Sequence, residues 1–519
     1  MADRRRQRCA PAAALPLLGP AVAALLLAPG ARAAWQVSPT VELRESWSDN
    51  VSLRRDGQKD SQFITSITPG IAVTNQTRRL QVSAAYRLNV YDYSDGRVAG
   101  TDRMNSALNA TAKGKLIDDL LFFDAQAGIA QQPVSAFGPV ASGSEYSTNN
   151  RSEVRTYQVS PYLVHRFGAT ASAELRYAHD MVDSDDSGYG RSTSDTASLN
   201  LSSGPAFRTV GWGLTLRRQR LQDSIAPGTS STMALASLRY VVTPTFSLTA
   251  TGGYDKFDYA GMGGSTQGAS WSGGFAWNPS TRTSLQMSAG KRYYGNSYFL
   301  AATHRSRSTV WNIGYSDNVT TSRENFLLPS AVSTADMLNG LFRASYPDAA
   351  MRALVVEAYI RAFNLPRSLP DSVNYFSNRH VLQRQLNASM AWRSARTTAL
   401  FTLFRTRREA LSLVQYDSSL LGSSQQNLND NTSQTGGALM LDYRLNSRTS
   451  ASLSANVAKT TSSKLGLGET NRQLRAMVSR SFQSNLSGSL EVRRNHGGLA
   501  LEGSSYSENA VAASLSMKF

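Results

Sequence analysis

Stretches of roughly nine to twelve residues in which apolar and polar side chains alternate recur along this chain from Trp35 to its end. The last stretch, 511–519, places Val511, Leu515 and Phe519 on one side and small or polar residues on the other. Successive side chains of an extended strand point to opposite faces, so this pattern predicts strands with one apolar and one wet face. We therefore expect an all-β protein.

The connections between these stretches alternate between short and long. Asn75 to Arg78 and Asn278 to Arg282 are tight, whereas Gln131 to Glu153 and Arg408 to Thr432 are long and polar. Short turns on one side and long loops on the other are typical of bacterial outer-membrane barrels. A soluble β-sandwich, the alternative, would not require this asymmetry. The pattern favours a single antiparallel transmembrane β-barrel in the outer membrane, in contact with its lipid and lipopolysaccharide.

Arginine recurs on the polar face of the predicted strands. An interior this polar cannot be a dry core, because a buried and unpaired charge is very costly. We therefore assign the apolar face to lipid and the polar face to a lumen that holds water or ion pairs. The predicted lumen-lining residues are Arg44, Arg87, Arg176, Arg217, Arg239, Arg393, Arg444, Arg475 and Arg493.

Both ends of the chain carry export signals. Residues 1–33 combine a basic start, an apolar stretch and a small-residue cleavage site, so they predict a cleaved secretory signal peptide. The mature chain, 34–519, then contains no cysteine, which excludes disulfides and thiolate metal sites. Phe519 closes the last strand and resembles the terminal aromatic residue that the barrel assembly machinery reads in outer-membrane proteins.

Strand parity bears on the topology. We count about 21 segments, whereas single-chain bacterial barrels have an even number of strands, so we predict about 22 within a range of 20 to 24. Thr309 to Tyr315 and Val381 to Trp392 would both run toward the periplasm, so one strand should lie between them. Ser316 to Asn318 would form the turn and Val319 to Leu328 the strand; Val373 to Phe376 is the alternative.

A short helical insert, 334–364, interrupts the strand pattern. Ala335, Leu338, Leu341 and Phe342 have helical spacing, and a second apolar stripe follows within 351–363. After an upward strand the insert would lie in an outer loop, where it caps the barrel or folds into the lumen. If the extra strand is Val373 to Phe376, the insert would instead lie on the periplasmic side. It is either a plug or a helical hairpin that only packs on the loops.

The residues give no sign of catalysis, and we expect no enzyme, no cofactor and no metal site. The five histidines lie singly, without metal-ligand spacing. Asp180, Asp183, Asp185 and Asp186 could hold calcium, although a solvated loop is the simpler interpretation. Residues 1–33 contain five arginines and one aspartate, so their removal lowers the net charge from +17 to +13. This charge indicates an anionic polysaccharide as partner or an anion-lined passage, or only a solvated basic surface; we expect no nucleic acid.

Short motifs along the mature chain resemble one known family. They include the segments 41–50, 67–70, 159–162, 166–168, 277–280, 282–285, 294–298, 304–307, 407–411 and 508–511. These are similar to the outer-membrane proteins associated with the PEP-CTERM/exosortase system, which accompany exopolysaccharide biosynthesis and export. The resemblance implies an outer-membrane barrel that serves such a system and brings no catalytic residues with it.

The predicted function is a passive, arginine-rich passage or scaffold for secreted polysaccharide. Two alternatives remain at the level of the sequence. One is a general diffusion porin for small solutes. The other is a structural barrel with an occluded lumen.

Overall fold

Twenty-two antiparallel strands form one closed barrel in the computed structural model of this protein. The structure describes residues 35–95, 103–139, 143, 145–146, 150–262, 266–327, 334–342, 352, 356, 372–423 and 425–519. The predicted signal peptide lies outside them. The strands are β1 (Trp35–Ser48), β2 (Gln62–Gln76), β3 (Leu80–Tyr93), β4 (Met104–Ile117), β5 (Leu121–Gln132), β6 (Ser152–Phe167), β7 (Ala171–Ser184), β8 (Arg191–Ser203), β9 (Val210–Asp223), β10 (Thr229–Thr243), β11 (Phe246–Asp258), β12 (Gln267–Ser280), β13 (Thr283–Arg292), β14 (Gly295–Arg305), β15 (Thr309–Thr320), β16 (Val381–Arg393), β17 (Thr397–Ala410), β18 (Thr432–Arg444), β19 (Thr449–Ser462), β20 (Gly468–Ser481), β21 (Leu486–Leu499) and β22 (Ser504–Lys518).

The barrel closes by pairing its first strand with its last. Thr40 lies opposite Lys518 and Ser48 opposite Ala510, so the beginning of β1 and the end of β22 lie at the same rim. In outer-membrane barrels this rim faces the periplasm. The turns at this rim are short, from two residues at 281–282 to six at 204–209, whereas 321–380 and 411–431 connect strands at the outer rim. The predicted asymmetry of the connections is confirmed.

The two faces of the wall differ as the alternation predicts. On β21 and β22, Leu490, Val492, Val511 and Leu515 are all at least half exposed on the outer surface. Their neighbours in sequence, such as Glu491, are buried inside. A continuous belt of aliphatic side chains around a closed barrel is compatible with lipid and not with water. The protein is an outer-membrane β-barrel.

The position predicted for the additional strand, between Thr309 to Tyr315 and Val381 to Trp392, is wrong, although the barrel has the predicted 22 strands. β15 pairs directly with β16, Thr309 opposite Trp392 and Thr320 opposite Val381, so these strands run in opposite directions and none lies between them. Residues 316–318 are part of β15 and form no turn. Val319 and Thr320 complete that strand and a helix follows at once. The segment 373–376 contains no strand.

Outer-rim connections enter the barrel. Strands about 4.8 Å apart and tilted by about 40° would enclose a cylinder roughly 40 Å wide, which leaves room for these connections inside. Within the described residues these connections contain three short helices: α1 (Ser322–Leu327), α2 (Thr334–Phe342) and α3 (Ser418–Leu421). Two 3-10 turns accompany them, Val414–Asp417 and Ala500–Glu502. In the described part of the chain, no helix has the length and hydropathy that crossing a bilayer requires.

The lipid-facing assignment predicts the effect of one substitution. Leu490 lies near the middle of the apolar belt, opposite Ala513 of β22 and Val478 of β20. Leu490→Arg should cost about 2–4 kcal/mol, the range for arginine at the bilayer midplane. Gln286→Arg, on the inward face of β13, should cost far less. Urea unfolding in lipid vesicles measures both; equal costs would contradict the assignment of the faces.

Candidate functional site: an arginine-lined lumen closed by outer loops

All nine predicted lumen arginines lie on the inward faces of their strands. In each strand they share the side of the buried polar residues and oppose the exposed aliphatic ones; on β1, for example, Arg44 shares a face with Ser46 and Ser48 while Leu43 points to lipid. The nine do not form one array. Arg44, Arg87, Arg475 and Arg493 converge, whereas the other five are distributed around the wall.

The four converging arginines line a polar cavity of about 210 Å³ beside the seam where the barrel closes. They come from β1, β3, β20 and β21, which are brought together only by the pairing of β1 with β22. Two carboxylates, Glu42 and Glu145, also line the cavity. Glu491 and Glu508 pair with the same arginines from behind, so the carboxylates around the cavity equal the four guanidinium groups in number.

Glu491 is the centre of the ion pairs behind the cavity. Its carboxylate, only 3% exposed, lies 3.2 Å from Arg44, 2.6 Å from Arg475 and 3.5 Å from Arg493. Arg44 lies two strands from Glu491, across β22, and Arg475 lies on the neighbouring β20. The network therefore fastens both sides of the seam, and burial makes its charge-assisted hydrogen bonds strong.

The β5–β6 connection supplies a further carboxylate to this network. Glu145 lies 3.0 Å from Arg493, whose guanidinium also lies 4.9 Å from the ring centre of Tyr146. Burial alone would raise the pKa of Glu145, but Arg493 and Arg44 outweigh it and hold that pKa below its usual value. This loop carboxylate is therefore ionised and pairs with wall arginines, which ties the connection to the inside of the barrel.

Of the remaining five arginines, only Arg176 pairs with carboxylates among the described residues, with Asp124 at 2.9 Å and Glu174 at 3.1 Å. Arg393 lies 4.2 Å from the ring centre of Phe342, and Arg444 donates to the Ala395 carbonyl oxygen at 3.4 Å. Arg217 and Arg239 are exposed to the lumen on β9 and β10, and neither forms an ion pair within the described residues. These two guanidinium groups are available to a passing anion.

Helix α1 reaches the far wall of the lumen from the end of β15. Arg323, 4% exposed, forms a buried ion pair with Asp180 of β7 and donates to Ser192 Oγ of β8 at 2.8 Å. Gln126 of β5 donates to the carbonyl oxygen of Leu327 at 3.2 Å. Because β5–β8 lie far around the barrel from β15, the 321–327 segment must cross the outer part of the lumen.

Helix α2 lies deeper, against the wall near the periplasmic rim. Its apolar side chains Met337, Leu338, Leu341 and Phe342 are buried together with residues of β15–β18. The wall residues of this cluster are Val310, Ala391, Leu400 and Met440. The predicted helix over 334–342 is therefore present. It belongs to the connection between β15 and β16, which starts and ends at the outer rim, and it folds into the lumen. The second predicted helical stripe, 351–363, lies outside the described residues except for two isolated positions.

Residues 372–380 pack against other connections at the outer mouth. The ring of Phe376 stacks on Tyr189 from the β7–β8 connection at 4.5 Å, and Tyr375 shares a 2.6 Å hydrogen bond with Thr432 of β18. Ser377 and the Asn378 backbone N–H donate to Asp417. Burial outweighs these donors and raises the pKa of Asp417 to about 6. Several connections thus interlock across the mouth.

The acidic cluster that could have held calcium is divided among other partners. Asp180 pairs with Arg323, Asp183 with Arg191 at 3.1 Å and Asp185 with Arg155 at 3.4 Å. Among the residues that the structure describes, no group of three or more His, Cys, Asp or Glu side chains could hold a metal ion. Sequence reasoning did not foresee the role of Asp180, because its partner lies 143 residues away.

Phe519 follows β22 at the periplasmic rim. Its ring is 66% exposed, and its N–H donates to the Pro39 carbonyl oxygen at 3.0 Å. An exposed ring contributes little to the stability of the folded barrel, yet it is available to an assembly machinery.

Deleting Phe519 tests the predicted assembly signal. We expect several-fold less folded barrel in the outer membrane of cells, because recognition is lost. Refolding of the same purified variant from urea into detergent should match the wild type. Electrophoretic heat-modifiability measures the folded fraction in both settings. An equal loss in both would assign Phe519 to stability alone.

Comparisons with known proteins give similarity only among solved structures. No protein-family model matches the chain, and neither does any curated protein. The FrpB iron transporter from Neisseria meningitidis (F3-3 variant) is 12% identical, with a TM-score of 0.48, over 93% of this chain and 81% of that one. The siderophore receptor PirA from Pseudomonas aeruginosa is 11% identical, with a TM-score of 0.39, over 93% and 80% of the two chains. Identities this low carry no information about a ligand.

Proposed function

We propose that this barrel is a passage for an acidic polysaccharide, closed at rest by its outer-rim connections. The observation that supports it most is the set of luminal guanidinium groups without carboxylate partners. Within the described residues Arg217 and Arg239 form no ion pair, and neither does Arg87, which lines the polar cavity at the seam. Guanidinium groups bind carboxylates through paired hydrogen bonds, and a series of them allows a polyanion to move from one to the next.

The resemblance to PEP-CTERM/exosortase-associated proteins gives this passage its setting. In that setting the polymer would be an exopolysaccharide that leaves the cell, and the barrel would act without catalysis. Small residues surround the free arginines; Thr249 and Gly211, for example, lie directly opposite Arg239 on the neighbouring strands. Small side chains leave space above the wall for a hydrated chain.

Ion selectivity tests the proposal. The wild-type barrel, reconstituted in a phospholipid bilayer, should favour anions whenever it opens, and Arg87→Gln/Arg217→Gln/Arg239→Gln should reduce that preference several-fold. A triple variant with the same loss of charge on the lipid-facing surface, Arg405→Gln/Lys459→Gln/Arg472→Gln, should leave selectivity unchanged. Cation selectivity that the luminal variant does not alter would refute the passage for anions.

The second candidate is a structural barrel with an occluded lumen. The buried Arg323–Asp180 pair and the apolar packing of α2 favour it, because they hold α1 and α2 firmly to the wall. The two candidates differ in their conductance after the insert is released: it should rise for a passage and stay unchanged for a structural barrel.

A general diffusion porin is the third candidate. It would let graded neutral sugars swell liposomes with the insert in place.

A further inference from the structure

A group of basic residues lies on the lipid-facing surface toward the outer rim of β16–β21. Its members, which we call the outer-rim basic patch, are Arg384, Arg405, Arg407, Lys459, Arg472 and Arg494. The register puts them outside: Arg472 lies opposite Val457, and Arg494 opposite Leu474, two exposed aliphatic residues of the belt. They therefore continue the lipid-facing side of the wall and do not contact the lumen.

Their height is set by the apolar belt. Along β20 the outward residues run from Arg480 near the periplasmic rim through Val478 and Leu474 to Arg472. Eight residues of a strand tilted by about 40° rise roughly 20 Å, close to the ~25 Å apolar band of outer-membrane barrels. Arg480 and Arg472 consequently mark the two membrane interfaces, and the patch lies at the outer one.

The charge of the patch is only partly neutralised. Glu409 pairs with Arg384 at 2.8 Å and with Arg407 at 2.9 Å. Arg405, Lys459, Arg472 and Arg494 are exposed, and none forms an ion pair in the described part of the chain. Arg405 and Lys459 both lie opposite Thr435, on either side of β18, so their strands are about 10 Å apart.

The sector formed by β1 and β3 differs in charge from the outer-rim basic patch. On β1 and β3 the outward residues toward the outer ends include Glu45 and Asp92, which are acidic. A lipid headgroup with several negative charges would therefore be attracted to the β16–β21 sector and not to the β1–β3 sector.

We propose that the outer-rim basic patch binds the phosphate groups of lipopolysaccharide. The outer leaflet presents these phosphates at the interface where the patch lies, and the acyl chains would cover the aliphatic residues directly below it. Arginine offers paired donors to phosphate, and lysine adds a point charge. Unlike an anion within the lumen, this ligand would bind whether or not the passage is open.

Binding of diphosphoryl lipid A to the full-length folded barrel in detergent tests the proposal, with dephosphorylated lipid A as the second probe. Arg405→Gln/Lys459→Gln/Arg472→Gln should weaken binding of the diphosphoryl form at least tenfold and leave the weaker binding of the dephosphorylated form unchanged. The matched control is Arg282→Gln/Arg448→Gln/Arg480→Gln, which removes three exposed charges at the periplasmic rim. It should bind diphosphoryl lipid A as the wild type does.

A charge-conserving variant, Arg405→Lys/Arg472→Lys, should retain binding within about threefold, and heat-modifiability confirms that every variant is folded. Undiminished affinity in the glutamine triple variant would overturn the proposal. An equal loss in the periplasmic-rim control would also overturn it, because binding would then follow net charge and not the patch.

Discussion

Replacing Arg323 with alanine should open the barrel. Arg323 and Asp180 are both about 95% buried, and their ion pair joins α1 to the wall at β7. Removing one member leaves an uncompensated buried charge, which costs about 3–5 kcal/mol. Asp180 could regain water only if the 321–327 segment moved out of the lumen, so the loss should appear as release of this segment.

Single-channel recording and limited proteolysis measure the two consequences. We expect Arg323→Ala to raise the frequency and size of conductance steps and to make the 321–380 connection sensitive to protease. Asp180→Ala should have a similar effect, and the double variant should be less affected than the sum of the two.

Arg79→Ala is the matched control. Arg79 pairs with Asp118 at 2.6 Å on the periplasmic rim, but both side chains are more than half exposed, so the cost should stay below about 1 kcal/mol. Protease sensitivity without any rise in conductance would contradict the passage and favour an occluded structural barrel.

Replacing Glu491 with glutamine should weaken the closure of the barrel. Three arginines, Arg44, Arg475 and Arg493, converge on this carboxylate from both sides of the seam. Glutamine keeps the size of the side chain but removes the negative charge, so three adjacent guanidinium groups then repel one another in a partly buried site. We expect a loss of about 3–5 kcal/mol in the free energy of unfolding.

Urea unfolding in lipid vesicles measures this loss, and a lower yield of folded barrel should accompany it. Asp118→Asn removes one carboxylate from the exposed pair at the periplasmic rim and should change stability by less than about 1 kcal/mol. Adding Arg475→Gln to Glu491→Gln should recover part of the loss, because it lowers the excess positive charge. A Glu491→Gln barrel as stable as the wild type would show that the network is not what fastens the seam.

Much of the wall could be predicted from local pattern. The stretch 80–90 alternates except at Ala85 and lies within β3, and helical spacing over 335–342 corresponds to α2. The period of two also identifies which side chains face inward, since a strand has only two faces. For this reason, nine arginines chosen from the sequence all lie on the luminal side.

The misplaced strand shows where local pattern fails. Val319 to Leu328 is about long enough to cross a membrane, yet Val319 and Thr320 end β15 and the helix α1 begins at Ser322. Over so few residues, strand and helix periodicity cannot be distinguished. The helix α2 lies in a connection that follows an upward strand, β15, as the first alternative expected; the alternative with a strand at 373–376 would have placed it on the periplasmic side.

The sequence by itself determined the class of fold, the faces of the strands and the polar nature of the lumen, because these follow from repeated neighbours along the chain. Only the tertiary structure decided which luminal charges meet. Arg44 finds Glu491 because β1 closes on β22, and Arg323 finds Asp180 because a loop crosses the lumen. Such pairs lie hundreds of residues or many strands apart, and their attraction acts only once closure and loop entry have brought them within a few ångströms.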